Sequence, residues 1–250
     1  MICKYPDSFA RFYDTIYHQV RDSTDHSYFL EKMTQTKGKV LEVGVGTGRF
    51  FTDALSQGAN LYGLDVSESM LNILFSKLPQ KDHYRLSLQN IVDFRYDFKF
   101  DLIMAPFRVI MHVLEKEDQI LALNNVYSHL NPGGIFIFDT FVPDLNQILN
   151  GLSNRMDFEG EYEPGKMIRR FVSTTPSLID QTITVHFHLE WDEDKGLKTE
   201  DWTLPMRFYF RYELEHLLER SRFKDFHIVG DYKENELSKD SKDFIVICKK

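Results

Sequence analysis

The stretch at residues 39–48, Lys-Val-Leu-Glu-Val-Gly-Val-Gly-Thr-Gly, constrains the fold more than any other part of the chain. Its first half is a short apolar run that predicts a buried strand, and its three glycines end that strand in a tight turn. A helical pattern follows, with four apolar residues on one face: Phe50, Phe51, Ala54 and Leu55. The sequence therefore predicts a strand, a glycine turn and a helix start, where bare main chain and exposed N–H groups suit a polar or anionic ligand group.

Short apolar segments alternate with helical patterns over the next hundred residues. Four more strands are predicted, at 60–65, 85–88, 100–104 and 135–139. This alternation, with a long helix predicted at 116–130, indicates a parallel sheet wound with helices on both faces. Ligands of such sheets bind beyond the carboxyl ends of the strands. The residues expected at those ends are Asp65, Asn90, 105–107 and Asp139.

The two ends of the chain add further elements to this sheet. Helices are predicted at 7–20 and 28–33, the second beginning near Thr24 or Asp25. A helix at 212–220 and strands at 226–232 and 244–249 are predicted to close the fold.

Residues 151–207 interrupt the alternation. Three strands with few helical signals are predicted there, at 167–172, 181–191 and 199–208. We therefore divide the chain into a core, residues 1–150 and 208–250, and an antiparallel β insert at 151–207 that forms a cap.

Composition excludes several classes of function. A net charge of −8 and a pI near 5.6 disfavour a protein that binds nucleic acid by neutralising phosphates. No apolar run approaches the length of a membrane span, and the N-terminus lacks the apolar region of a signal peptide. Cys3 and Cys248 stand at opposite ends without metal-type spacing, which is typical of reduced thiols. We expect a cytoplasmic protein with no membrane or nucleic-acid partner.

A metal site has one candidate in the sequence. His186, His188 and Glu190 would project from the same face of a strand, because side chains alternate along it. Such residues more often line a surface than hold an ion, so no metal is predicted.

The spacing of the glycines argues against a nicotinamide dinucleotide. That fingerprint is Gly-x-Gly-x-x-Gly or Ala, and here Arg49 stands at the last position counted from Gly44. Counting from Gly46 places Phe51 there instead. A Rossmann-type oxidoreductase remains an alternative, disfavoured by this mismatch.

The pattern Glu-x-Gly-x-Gly-x-Gly at 42–48 resembles the first motif of class I S-adenosylmethionine-dependent methyltransferases. Leu-Asp-Val-Ser at 64–67, Asn-Pro-Gly-Gly at 131–134 and the closing strand pair extend the resemblance from about residue 40 to 249. It implies an α/β, Rossmann-like fold with a seven-stranded sheet in the order 3-2-1-4-5-7-6 and an antiparallel last strand. It also implies S-adenosyl-L-methionine as the cofactor.

A narrower resemblance involves two later segments. Ala-Pro-Phe-Arg at 105–108 followed by His112, and residues 138–144, are similar to a bacterial branch with an antiparallel insert after the fifth strand. That branch includes amino-sugar and amino-acid N-methyltransferases. The resemblance implies a small-molecule acceptor, methylated on an amine or a hydroxyl.

The resemblance also implies which residues contact the cofactor. Asp65, 21 residues after Gly44, is placed to accept both ribose hydroxyls. Asn90 stands where the family often has an acid near the adenine amino group, and its amide oxygen can accept the same hydrogen bond. The full predicted set is Tyr13, Glu42, Gly44, Gly46, Thr47, Gly48, Asp65, Val66, Met70, Asn90, Ile91 and Pro106.

Three residues are predicted on the acceptor side: Tyr17, Arg108 and His112. His112 could take a proton from the attacking group, since the pKa range of histidine suits that task. Arg108 could pair with a substrate carboxylate or phosphate. Each also has a structural interpretation: a bridge from Arg108 to Asp139, a packed His112 and an aromatic helix face that includes Tyr17.

Two further alternatives concern the function as a whole. A nucleic-acid methyltransferase would need a basic stripe that the net charge disfavours, and a non-catalytic protein could keep the same cofactor pocket. The oligomeric state is left open, with a homodimer as the candidate.

Overall fold

The computed structural model describes residues 5–20 and 24–250, with side chains described at 5–18 and 24–250. Cys3 lies outside these residues, whereas Cys248 is a buried free thiol. No helix in the described part of the chain is long and apolar enough to cross a membrane.

The chain forms seven α-helices and eleven strands within its described residues. The helices are α1 (Asp7–Val20), α2 (Thr24–Gln35), α3 (Phe51–Ser56), α4 (Glu68–Lys77), α5 (Lys116–His129), α6 (Leu145–Asn150) and α7 (Arg211–Arg220). The strands are β1 (Val40–Val43), β2 (Leu61–Asp65), β3 (Leu86–Leu88), β4 (Phe100–Ala105), β5 (Leu130–Phe141), β6 (Leu152–Glu163), β7 (Lys166–Ser177), β8 (Thr182–Glu193), β9 (Gly196–Arg207), β10 (Asp225–Val229) and β11 (Asp243–Lys249). Two 3₁₀ helices occupy Gln80–Arg85 and Val109–His112.

Seven strands form the main sheet, in the order β3-β2-β1-β4-β5-β11-β10. β1 is parallel to both of its neighbours, with Val40 opposite Leu61 on one side and Leu102 on the other. β11 runs antiparallel between β5 and β10. The predicted order and the antiparallel last strand are therefore confirmed. Because β1 is an interior strand between β2 and β4 and is completely buried, the glycine turn that follows it lies inside the sheet's carboxyl edge, away from the edge strands.

Two apolar cores cover the two faces of this sheet. Helices α2, α3 and α4 pack on one face, where the core includes Phe29, Phe51 and Leu74. Helices α5 and α7 pack on the other, with Phe136 and Leu214 among the core residues. Burying one such side chain contributes roughly 1.5–3 kcal/mol to folding. These two layers therefore stabilise the sheet whose carboxyl edge carries the site.

The second sheet is antiparallel, in the order β6-β7-β8-β9. Each of its strands has 12 residues. Only three strands were predicted from the sequence. β6 was missed: seven of its 12 residues are Ser, Asn, Arg, Asp or Glu, and Phe158 is its one buried side chain. The short helix α6 was missed as well.

The Asn-Pro-Gly-Gly segment at 131–134 forms a turn within the first part of β5. Pairing with β4 jumps there from Phe100–Leu130 to Leu102–Ile135, and Gly133 has φ +78°. The Gly133 amide donates to the Lys250 carbonyl, and the Lys250 amide donates to Gly134. These hydrogen bonds join the segment to the end of the chain, a long-range contact that the local Pro-Gly-Gly pattern does not reveal.

Gly48 provides a test of backbone constraint at the end of the glycine turn. Its φ is +89°, and an added Cβ would lie 2.3 Å from Cδ1 of Leu74. We expect Gly48→Ala to lower the free energy of unfolding by roughly 2–5 kcal/mol, because left-handed strain and overpacking add. Gly58 has φ +88° and nothing within 4 Å, so Gly58→Ala should cost only about 1–2 kcal/mol. Equal losses in urea unfolding would contradict the packing role.

Candidate active site

A cavity of about 320 Å³ opens at the carboxyl ends of β1, β2 and β4. Its walls come from the glycine turn, from α1 and from the second sheet. The sequence-predicted site residues that line it are Tyr13, Tyr17, Glu42, Gly44, Gly46, Thr47, Asp65, Val66, Met70, Asn90, Ile91, Pro106, Arg108 and His112. Gly48, also predicted, is not among them.

The three glycines of the turn have different physical roles. All have positive φ, which favours glycine. An added Cβ on Gly44 would approach Val109 to 2.4 Å, whereas the nearest atom to one on Gly46 is 4.0 Å away. Gly46 therefore leaves clear space beside the cavity that it lines. Gly44 and Gly48 instead allow close packing against Val109 and Leu74. The sequence motif alone does not show which of its glycines makes space for a ligand and which make space for neighbouring side chains.

Asp65 is tied to the glycine turn at the end of β2. One carboxylate oxygen accepts the Gly46 amide at 2.8 Å, and the other accepts the Ser67 amide at 2.8 Å. Burial raises the pKa of Asp65, and the amide donors oppose that rise. Each oxygen has a second acceptor position, so Asp65 can hold the turn and still accept hydroxyl groups from a ligand.

Glu42 is a buried acid whose charge is not neutralised by a direct contact. Its side chain is 1% exposed, and Oε2 has no hydrogen-bond partner among the described residues. Burial raises the pKa of Glu42 well above its ordinary value, and the nearby Asp65 raises it further, while Arg49 opposes the rise. An unpaired carboxylate is costly to bury. Two acids on one cavity wall favour a cationic ligand, which would stabilise their charged forms.

The loop after β3 forms the next part of the wall. The amide oxygen of Asn90 accepts the Val92 backbone amide at 3.1 Å, the ordinary turn considered from the sequence. Ile91 is buried beside it. A second acceptor position remains on the Asn90 oxygen, so the turn role and ligand contact are compatible.

Polar contacts that were not predicted from the sequence hold helix α1 against the glycine turn. The Thr47 hydroxyl donates to Oδ1 of Asp14 at 2.7 Å, and Lys77 pairs with Oδ2 at 2.6 Å. Lys77 also donates to the Thr47 carbonyl at 2.7 Å. The signal that could have identified Asp14 is its place in the Tyr-Asp-x-x-Tyr motif, between the two tyrosines that line the cavity.

The aromatic residues of α1 form one side of the cavity. The ring centroids of Tyr13 and Tyr17 are 4.4 Å apart, and Tyr17 meets Phe107 edge-on at 5.6 Å. Phe107 and Arg108 both have positive φ, 63° and 66°. Strained backbone of this kind persists where surrounding structure holds it, often at functional sites.

The guanidinium of Arg108 is already paired. Nη2 donates to Oδ1 of Asp243 at 2.7 Å, and the Arg108 backbone amide donates to Asp139 at 3.2 Å. The other arginine of the wall, Arg49, makes a bidentate pair with Asp25, both distances being 2.8 Å. These contacts match the structural interpretation of Arg108, with Asp243 as the guanidinium's partner. Both arginines of the wall are therefore neutralised by acids.

His112 lines the cavity, and its ring nitrogen Nδ1 is buried there. Burial lowers its pKa to about 4, although a hydrogen bond to the backbone of Pro205 opposes the shift. Nδ1 has no partner among the described residues. The imidazole is therefore neutral at physiological pH. Its lone pair at Nδ1 can accept a hydrogen bond, but the pKa of about 4 is too low for efficient proton removal near neutral pH.

The remaining wall is apolar and acidic. The second sheet contributes four apolar side chains: Val185, Phe187, Leu204 and Met206. Glu115 and Asp118, at the start of α5, also line the cavity. This part of the cavity suits a ligand that is partly apolar and positively charged.

The candidate metal ligands do not line the cavity. His186 contacts the Thr175 hydroxyl at 3.0 Å, and His188 contacts Asp201 at 2.8 Å and Glu190 at 3.3 Å. Within residues 5–20 and 24–250, no group of three such side chains is arranged to hold a metal ion.

Comparison with known proteins identifies relatives of the core. Residues 40–134 match a family model described as a methyltransferase domain. An uncharacterized methyltransferase of Bacillus mycoides (strain KBAB4) is 29% identical over 140 residues, which are 55% of this chain and 63% of the relative. The match thus spans less than two thirds of that relative.

Solved structures match nearly the whole chain. A S-adenosylmethionine-dependent methyltransferase from Clostridium acetobutylicum ATCC 824 aligns over 97% of this chain and 98% of its own, with TM-score 0.75 and 21% identity. CalS10, an amino pentose methyltransferase from Micromonospora echinaspora, aligns over 95% of both chains, with TM-score 0.72 and 15% identity. These neighbours confirm the predicted Rossmann-like fold.

The buried acid Glu42 gives a prediction for the ligand-free protein. Because its folded-state pKa is raised above 4.5, the folded state binds more protons than the unfolded state above pH 4.5. As the pH rises above 4.5, the free energy of unfolding of wild type should therefore fall relative to that of Glu42→Gln. The slope should be up to about 1.4 kcal/mol per pH unit until the pH passes the folded-state pKa of Glu42. Urea unfolding from pH 4.5 to 8 measures this difference. The exposed Glu117→Gln is the control, and a pH-independent difference for Glu42→Gln would contradict the assignment.

Proposed function

We propose that this chain, which belongs to the class I S-adenosylmethionine-dependent methyltransferases, moves the methyl group of S-adenosylmethionine to an amine of a small molecule. The observation that carries the proposal is the pair of buried acids, Glu42 and Asp65, on the wall of the cavity at the glycine turn. Two carboxylates suit a cofactor with a sulfonium and an ammonium group. They would repel the pyrophosphate of a nicotinamide dinucleotide, which also disfavours the oxidoreductase alternative.

The residues of the glycine turn fit the cofactor. Gly46 gives clearance for a ligand to approach main chain, and Asp65 keeps acceptor positions for the two ribose hydroxyls. Glu42 gains a partner when an ammonium group lies near its orphan oxygen. When bound, S-adenosylmethionine supplies an electrophilic methyl group, so the protein's main task is to align two reactants. Proximity and orientation can supply roughly 7–11 kcal/mol of a barrier.

An amine is a better acceptor than a hydroxyl in this cavity. A hydroxyl needs a base near neutrality, and the His112 pKa of about 4 is too low for efficient proton removal there. An amine can lose its proton to water and enter with a free lone pair. The neutral His112 Nδ1 then accepts a hydrogen bond from the amine and orients it. The structural likeness to an amino pentose methyltransferase supports a substrate that carries an amine.

The second sheet serves as a cap over the acceptor. Val185, Phe187, Leu204 and Met206 project from it into the cavity wall, where they exclude water from the reacting groups. Glu115 and Asp118 attract an ammonium group to this side. The domain boundaries at 151–207, a homodimer and a cytoplasmic location stay predictions.

Calorimetry with S-adenosylmethionine and S-adenosylhomocysteine tests the cofactor half. We expect wild type and Gly58→Ala to bind both, and Gly46→Val to stay folded and bind neither, because a branched side chain would fill the ligand's space. Asp65→Ala should weaken binding by on the order of 1.5–3 kcal/mol for each hydroxyl hydrogen bond lost. Tight binding of reduced nicotinamide dinucleotide, without binding of S-adenosylmethionine, would overturn the proposal.

A turnover screen tests the acceptor half. Wild type is incubated with S-adenosylmethionine and a panel of small amines and matched alcohols, and S-adenosylhomocysteine and methylated products are measured by mass spectrometry. We expect products from amines only. Turnover confined to alcohols would contradict N-methylation, while normal cofactor binding with no turnover on a broad panel would favour the non-catalytic alternative.

The role of His112 can be tested once an amine acceptor turns over. Because its imidazole is neutral above a pKa of about 4, His112→Asn should leave the shape of the kcat profile unchanged from pH 6 to 9. Loss of the orienting hydrogen bond should lower kcat roughly three- to tenfold, with the affinity for S-adenosylhomocysteine nearly unchanged. Disappearance of a limb near neutrality in the variant would show instead that His112 is a general base.

A further inference from the structure

The second sheet contains a buried cation that does not line the cavity. Arg170, on β7, is 2% exposed. Its Nε donates to Oδ1 of Asp157 at 2.9 Å and its Nη2 to Oδ2 at 2.8 Å. This bidentate pair with β6 neutralises the guanidinium and fixes its plane.

The fixed guanidinium lies between two rings of the cavity wall. Its Cζ is 4.9 Å from the ring centroid of Tyr17 and 5.2 Å from that of Phe187. Both rings line the cavity. Nη1 is the guanidinium nitrogen that does not bond to Asp157, and it makes no hydrogen bond of normal geometry among the described residues. Burial lowers the pKa of Arg170, but Tyr17 and Asp157 more than offset this, which is consistent with a close electrostatic contact to the tyrosine.

Stability alone is a weak reason for such an arrangement. A buried ion pair often contributes no more to folding than apolar side chains of similar volume. The planar fork does supply directional contact, and a lysine would not reproduce it. Asp157 fixes the orientation of the guanidinium, and the guanidinium in turn contacts the ring of Tyr17. The other neighbours of Tyr17 include the aromatic residues Tyr13 and Phe107.

We propose that Arg170 is a positioning residue, which holds the ring and hydroxyl of Tyr17 against the acceptor half of the cavity while Asp157 fixes its own orientation. The contact links β7 to α1, so the acceptor wall is completed only when the second sheet and the helix are in register. This inference rests on the proposed function for its kinetic consequence alone, because the placement of Tyr17 can be measured without any acceptor.

The first experiment uses the full chain with 3-fluorotyrosine introduced at Tyr17 and fluorine NMR as the readout. We expect one narrow resonance in the wild-type background. Arg170→Lys and Asp157→Asn should both shift and broaden it, because the ring loses its fixed neighbour. Arg169→Lys is the matched control: Arg169 is the next residue along the strand and pairs at the surface with Glu159 at 2.7 Å. An unchanged resonance in both Arg170→Lys and Asp157→Asn, with the fold verified by circular dichroism, would overturn the proposal.

The second experiment is a double-mutant cycle on kcat with an amine from the turnover screen. Arg170→Lys should lower kcat roughly 10- to 100-fold, the usual loss when a partner behind a functional group is removed. In a Tyr17→Leu background, which lacks the ring and the hydroxyl, the same substitution should have little further effect, since Arg170 acts through Tyr17. Calorimetry with S-adenosylhomocysteine should give an unchanged Kd for Arg170→Lys. Independent, multiplicative losses of kcat would overturn the coupling, whereas absence of turnover in wild type would count against the proposed function and leave the fluorine result to decide the role of Arg170.

Discussion

The hydrogen bond from the Gly46 amide to the Asp65 carboxylate connects the two strand ends on which the site depends. Parallel pairing of β1 with β2 places Val43 opposite Leu64, so the glycine turn and the acid leave the sheet side by side. The bond then holds the turn in a shape that requires positive φ at three successive glycines. Without it, the clear space beside Gly46 and the acceptor positions of Asp65 would not face the same cavity.

The same arrangement places negative charge where water is excluded. Glu42 and Asp65 are both buried, and burial is the main reason that the pKa of each is raised. The two arginines of the wall do not relieve this by direct pairing, since Arg49 and Arg108 make their ion pairs with Asp25 and Asp243. Ionisation of both acids is therefore unfavourable in this site. A cation that enters recovers part of that free energy as binding, which is how a site can be costly to fold and effective in recognition.

The part of the site that is proposed to hold the cofactor could be outlined from the sequence, because its determinants are local. Strand, glycine turn and following acid occur within residues 40–65, and the parallel topology that brings them together follows from the alternation of elements. Arg108 shows the opposite case. Its partner Asp243 is 135 residues away in the chain. The sequence around Arg108 therefore could not show that an acid already pairs with the guanidinium, which leaves it less available to an anionic substrate. Strand β6 was missed for a different reason: it is an edge strand with one buried side chain, and most of its residues are polar or charged.

The part of the site that is proposed to hold the acceptor depends on such distant contacts. His112 meets the backbone of Pro205 from the second sheet, and Tyr17 of α1 meets Arg170 of β7. Each contact joins segments that are far apart in the chain, and no short motif encodes either one. The chemistry of the acceptor therefore depends on how the second sheet and α1 sit on a core whose cofactor side is fixed independently. Changes in the strands of that sheet could alter which acceptor fits while the glycine turn and its two acids stay the same. Sequence motifs of this kind are for that reason informative about the methyl donor and nearly silent about the methyl acceptor.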